Sequence, residues 1–186
     1  VTQRNDAFFV RDAIKNNKPY RVCSYRLASY TDFLHPAALE SRGIMFELDQ
    51  DNNPIRLASR PMRKFFNANE NPMVIGANLQ NPKQISLKAD GSLISTYMCS
   101  GHLQFKSKTA LHSMHAGAAG RYVESNQQLH DELTALDVLG YTVNCELTSD
   151  EPILRIVIGY NETRITILNL CNRETGEYAY LDQALV

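Results

Sequence analysis

Tryptophan is missing altogether from these 186 residues, and cysteine is scarce. Cys23, Cys99, Cys145 and Cys171 stand far apart with no Cys-x-x-Cys pair. That spacing argues against a zinc ribbon and a dense disulfide frame, so reduced thiols in a cytoplasmic setting are expected. No stretch approaches the roughly 18 consecutive apolar residues of a membrane-spanning helix. The first residues, Val1 to Asp6, are polar and do not read as a secretory leader. Internal repeats, low-complexity tracts and Gly/Ser linkers are lacking too, so one folded domain is expected.

What is present is an ordinary globular composition with an uneven distribution of charge. The formal net charge is −1. Yet between Pro54 and Lys108 eight basic residues face only Glu70 and Asp90, whereas Glu124 to Glu151 carries seven acids and no Lys or Arg. Such a division suggests one face built for an anion.

Periodicity gives an α+β fold class with mainly antiparallel sheet. Asn5 can cap an opening helix with Phe8, Phe9, Ala13 and Ile14 on one side, ended by Asn16-Asn17-Lys18-Pro19. A second helix is capped by Asn126, striped by Leu129, Leu133 and Leu136, and closed by Gly140. Another lies between Thr109 and Glu124, weakened by Gly117 and Gly120. Strands are expected at 41–48, 55–59, 85–87, 93–97, 141–148, 154–160 and 163–170.

Lys88-Ala89-Asp90-Gly91-Ser92 carries the sharpest chemical signal. Asp-Gly between two apolar runs reads as a turn, with Lys88 at a strand end held by sheet on both sides. Taken alone, the pentapeptide reads first as a hairpin with a solvated lysine at its tip. A lysine kept neutral there becomes a nucleophile. Its pKa, ordinarily near roughly 10.4, must fall by about three units, and burial and neighbouring cations both push that way. If the target is an α-phosphate, magnesium is required on the phosphates.

Strand alternation supplies further candidates. Thr142, Asn144 and Glu146 face opposite Tyr141, Val143, Cys145 and Leu147. Arg164, Thr166, Leu168 and Leu170 share a face opposite Ile165 and Ile167. Two such mixed faces suit a nucleotide pocket: a carboxylate for sugar or metal, and aliphatic side chains against a base.

With these residues in hand, the chain closely resembles the covalent nucleotidyltransferases, and within them the ATP-dependent RNA ligases of the phage tRNA-repair type, the RNA ligase 1 family. Lys88-Ala89-Asp90-Gly91-Ser92 resembles the KxDGS nucleotidyl-lysine motif. The similarity extends through Glu40 to Phe46, Ser59 to Asn67, Phe105 to Lys108, Asn144 to Thr148, Arg155 to Tyr160 and Ile165 to Asn169. KxDG alone is shared with DNA ligases and capping enzymes, whereas the Arg42 and Arg60–Asn67 blocks together are far more specific.

The resemblance implies the ligase adenylylation fold, with antiparallel sheets flanked by helices. It implies ATP and Mg2+ as cofactors and RNA ends, such as cleaved tRNA, as partners, in the cytoplasm of a phage-infected bacterial host. Lys88 would be adenylylated, AMP would pass to an RNA 5′-phosphate, and a 3′-hydroxyl would displace it. Arg42 and Lys64 would hold the outer phosphates, and Tyr25 would lie in the ATP pocket. Gly91 would admit the ribose, and Lys108 would stand near the phosphates. Glu146 would contact the ribose or metal-bound water, and Leu168 the adenine face.

Two motifs that follow in the family, an acidic one and a paired-lysine one, do not appear. The chain is therefore expected to be a single adenylyltransferase domain over residues 1–186, an N-terminal piece without the family's helical C-terminal domain. A non-catalytic piece that binds ATP or RNA ends, or another KxDG enzyme, stays open as an alternative. His112 and His115, three apart, are a weaker metal candidate. Arg63 and Lys83 read as solvated cations that could touch RNA phosphates. Phe65 and Phe66 read as packing residues.

Overall fold

The computed structural model describes residues 6–77, 80–82 and 85–179. Two antiparallel sheets and two helices confirm the α+β class. The first sheet has the order β1-β2-β3-β4, built from Phe8–Lys15, Lys18–Tyr25, Ile44–Leu48 and Pro54–Ser59. The second has the order β6-β5-β7-β8-β9, from Ser92–Cys99 (β5), His102–Ser107 (β6), Tyr141–Thr148 (β7), Arg164–Asn172 (β8) and Tyr178–Ala179 (β9).

The expected opening helix is instead the β1–β2 hairpin. Asn5 lies outside the described residues. Asn16 and Asn17 adopt φ of 47° and 60°, the left-handed pair of a type I′ turn, which asparagine tolerates. Phe8 then pairs with Tyr25 and Lys15 with Lys18, so every residue of β1 has a partner. A complete ladder outweighs an apolar spacing that also fits a helix.

The two helices cover one face of the five-stranded sheet. Helix α1, Met114–Glu124, begins where the Ser113 hydroxyl accepts the Ala116 N–H at 3.1 Å. Helix α2, Gln127–Val138, begins where the Asn126 side chain accepts the Leu129 N–H at 3.1 Å, as the sequence implied. Their apolar sides, with Ala119, Val123 and Leu133 fully buried, pack on Ile94, Val143, Cys145 and Leu170. The other face of this sheet meets the first sheet through Tyr20, Val22, Met45, Ala58, Tyr97 and Cys99.

Strand β8 departs from simple alternation. Asn144 pairs with Asn169 but Cys145 with Ile167, leaving Leu168 as the extra residue of a bulge. The bulge switches the face of everything after it. Leu170 therefore joins Ile165 and Ile167 in the core under the helices, instead of sharing the side of Arg164 and Thr166.

Two expected strands do not form. Residues 85–87 pair with nothing described, and Ile85 and Leu87 are 80% and 96% exposed. Residues 154–160 make no strand either: a single 3-10 turn, Pro152–Leu154, is followed by bends, and Ile156, Val157 and Ile158 are exposed. None of the helices is long and apolar enough to cross a membrane, among the described residues.

Candidate anion site around Lys88

Gly91 anchors the Lys88 segment on β7. A Cβ there would lie 2.3 Å from the Leu147 carbonyl oxygen and 3.0 Å from Cγ of Glu146. The missing side chain therefore admits strand β7. The Gly91 N–H donates to Glu146 Oε1 at 3.1 Å, and in the next rungs Leu93 pairs with Glu146 and Glu146 with Thr166.

Asp90 ties a second segment to the same turn. Its Oδ2 accepts the N–H groups of Val157 and Ile158 at 2.8 and 2.6 Å. The Asp90 N–H donates to the Tyr160 hydroxyl at 2.9 Å. Val157 and Ile158 thus spend their backbone donors on a carboxylate rather than a ladder, which works against a strand here. The strand-to-strand hairpin expected around Lys88 is not found, and Lys88 itself is exposed.

The first sheet delivers Arg42 through a tight turn. Gly43 has φ of +99°, and a Cβ on it would lie 2.3 Å from the Lys108 carbonyl and 3.1 Å from Lys106 Nζ. Only glycine permits so close an approach, and it brings Arg42 beside the end of β6. The segment after β4 crosses between the sheets: Arg60 N–H donates to Thr142 Oγ1 at 2.9 Å, and Arg63 N–H to the Tyr178 hydroxyl at 2.8 Å. Lys64 follows, its N–H bonded to the Leu39 carbonyl at 2.9 Å.

Three of the resulting cations lie over rings. Lys108 Nζ is 3.7 Å from the Tyr25 ring centroid, Arg42 Cζ 4.7 Å from that of Phe65, and Lys64 Nζ 4.7 Å from that of Phe66. Tyr25 and Phe66 in turn pack edge-on against Phe33 at 4.9 and 5.6 Å. Among the described residues none of Arg42, Lys64, Lys88 and Lys108 forms an ion pair. Three arginines of this region do: Arg56 with Glu47, and Arg60 and Arg63 with Glu40 at 3.0 and 2.7 Å. Arg63, expected to be solvated, is thus half of a structural ion pair, and Lys83 lies outside the described residues.

The charges feel one another. Burial lowers the Lys108 pKa, and Arg42 and Lys64 lower it further. Burial raises that of Glu146, against the Gly91 N–H and the charges of Lys88 and Arg42. Burial likewise raises Tyr25 and keeps its phenol neutral. Tyr25, Arg42, Lys64, Lys88, Lys108 and Glu146 therefore form one electrostatic group. Leu168 is half-buried at the β8 bulge, one rung along the sheet.

Beneath them runs a buried polar row. Ser95 Oγ donates to Asn144 Oδ1 at 2.7 Å, and Asn144 Nδ2 to Asn169 Oδ1 at 2.9 Å. At its β6 end stands Lys106, 0% exposed, its amine donating to the Ser107 carbonyl at 3.0 Å. Burial pulls its pKa down to about 7. Nothing in the sequence reading gave Lys106 a role. Its signal was parity, since it shares a strand face with Lys108. His112 and His115 do not converge: their Nε2 atoms meet the Ile14 and Leu154 carbonyls, and no cluster of three metal-ligating side chains exists among the described residues.

Four cations without an ion pair among the described residues, coupled through Arg42 to one another and to Glu146, give this end of the molecule a local excess of positive charge that suits an anion. A family model described as RNA ligase matches residues 40–186, and the chain belongs to this RNA ligase family. It is 29% identical to RNA ligase 1 of Bacteriophage TS2126 over 184 residues, covering 94% of this chain and 44% of that protein. It is 26% identical over 166 residues to a protein of Thermovibrio ammonificans named provisionally as an RNA ligase, covering 89% and 42%. The chain thus spans less than half the length of these relatives.

Proposed function

We propose that the chain is the adenylyltransferase domain of an ATP-dependent RNA ligase, with the nucleotidyltransferase fold and with Lys88 as its nucleophile. The observation that carries the proposal is the group of Arg42, Lys64, Lys88 and Lys108, without an ion pair among the described residues, in which Arg42 and Lys88 act on Glu146 and Arg42 and Lys64 on Lys108. A triphosphate supplies the negative charge that this cluster lacks. In the reaction, Lys88 releases a proton to solvent and its nitrogen attacks the α-phosphorus. An N–P bond forms, the bond to the bridging oxygen breaks, and pyrophosphate leaves against Arg42 and Lys64. AMP then passes to an RNA 5′-phosphate, from which a 3′-hydroxyl displaces it. Tyr25 and Lys108 line the phosphate end, Gly91 and Glu146 the ribose, and Leu168 the adenine. A cytoplasmic setting and cleaved tRNA as substrate belong to the same proposal.

Magnesium fits this donor set in one way. Of the two neighbouring carboxylates, Asp90 is taken up by the Val157 and Ile158 N–H groups, so Glu146 would hold magnesium through water and substrate phosphates would make the remaining contacts. The ion would supply neutralisation of phosphate charge.

The exposure of Lys88 favours a second reading, a piece that holds ATP or RNA ends without turnover. Incubation with α-labelled ATP and magnesium separates the two. Acid-labile label on the chain, lost in Lys88→Ala, supports the transferase. ATP binding without label supports the binding piece. Equal label on both proteins overturns the role of Lys88, and a preference for GTP points to a capping enzyme.

A further inference from the structure

The rings under the three stacked cations are not equivalent. Tyr25 and Phe66 pack on Phe33, and with Phe8 and Ala38 they belong to a small core that explains their presence. Phe65 belongs to no described core. It is 50% exposed and makes no ring–ring contact among the described residues. The contact it does make is with Arg42.

Arg42 is the cation most in need of such a partner. Its charge acts on Tyr25, Lys108 and Glu146 alike, so it stands at the centre of the group. Yet among the described residues its guanidinium is otherwise tethered by a single hydrogen bond, from Nη1 to the Arg63 carbonyl at 3.2 Å. A long side chain held so weakly samples many rotamers and loses entropy when it binds a ligand. A carboxylate would fix it, as Glu40 fixes Arg60 and Arg63, but would also cancel its charge. An aromatic face attracts the guanidinium through its quadrupole and leaves the in-plane N–H donors open to an anion.

We propose that Phe65 is a positioning residue for polyphosphate binding: its exposed ring holds the Arg42 guanidinium without neutralising it, so that the donors are already aimed when the anion arrives. This rests on the reading of the cluster as a nucleotide phosphate site.

Isothermal titration of the chain with inorganic tripolyphosphate tests it, with thermal melting to show that each variant is folded. Phe65→Leu weakens binding roughly three- to thirty-fold, the range of a cation–aromatic contact. Phe65→Tyr stays within about two-fold of the original, because it keeps the ring. Phe65→Glu holds Arg42 but pairs its charge, and it binds more weakly than Phe65→Leu. In an Arg42→Ala background the Phe65→Leu penalty disappears, a coupling that a purely structural role would not produce. Unchanged affinity in Phe65→Leu, or the same loss with and without Arg42, overturns the inference while leaving the phosphate site standing. Failure of the unmodified chain to bind tripolyphosphate overturns the phosphate site itself, and the role of Phe65 with it.

Discussion

The Lys108 amine sits 3.7 Å from the centroid of the Tyr25 ring, joining the end of β6 to the end of β2 across the two sheets. The contact uses the ring rather than the hydroxyl. Tyr25→Phe is therefore expected to keep label transfer from α-labelled ATP within about two-fold, whereas Tyr25→Ala slows it roughly three- to thirty-fold. A Tyr25→Ala protein as fast as the original would show that the stacking does not serve the reaction.

Lys106 makes stability depend on pH. Its folded pKa of about 7 lies below the ordinary 10.5, so between those values the unfolded chain binds the extra proton and stability rises with pH. The stabilisation is complete above about 10.5 and is lost as pH falls to about 7, a span on the order of 4–5 kcal/mol. Replacing the amine by the similarly long Met removes this dependence. Lys106→Met should melt higher than the original at pH 6.5, with the gap closing as pH approaches 10. Parallel melting curves across that range would refute a buried, titrating amine.

Gly91 and Gly43 are expected to resist the smallest substitution. In both, an added methyl meets a backbone carbonyl at 2.3 Å, and at Gly43 the left-handed φ adds strain. Gly91→Ala and Gly43→Ala should each cost about 2–4 kcal/mol in urea unfolding. Gly117→Ala is the opposing case, since its Cβ would meet only Arg121 at 3.6 Å within α1. It should stabilise by about 0.5–1 kcal/mol.

Asp90 should control the order of residues 157–160. Asp90→Ala removes the acceptor of two charge-assisted hydrogen bonds. Amide exchange at Val157 and Ile158 should accelerate by at least about ten-fold, with α2 amides unchanged as the internal reference. Unaltered protection at those two amides would place the restraint elsewhere.

The parts of the fold legible in the sequence were those governed by local rules. The cap at Asn126, the leucine stripe of α2 and the strands 141–148 and 163–170 follow from spacing alone. The β1–β2 hairpin was misread because Phe8, Phe9, Ala13 and Ile14 fit a helical face as well, and only its pairing with β2 decides between them. The runs at 85–87 and 154–160 look like strands by composition but have no described neighbour to pair with. At the candidate site, Tyr25, Arg42, Lys64, Lys88, Lys108 and Glu146 were all named, and the structure brings them into one group. Which arginines are already spoken for was not legible. Glu40 lies twenty or more residues from Arg60 and Arg63, and nothing local announces the pairing. Lys106 and Phe65 were passed over for the same reason, since burial of one and exposure of the other are properties of packing.

The extra residue at Leu168 makes the length of β8 less negotiable than its composition. Removing it would straighten the strand and invert all that follows, driving Asn169 toward the helices and Leu170 into the cleft between the sheets. Conservative exchanges along this strand can be absorbed one at a time. A one-codon deletion would undo the polar row and the helix-side packing together, so drift in this part of the gene is confined to letters and closed to spacing.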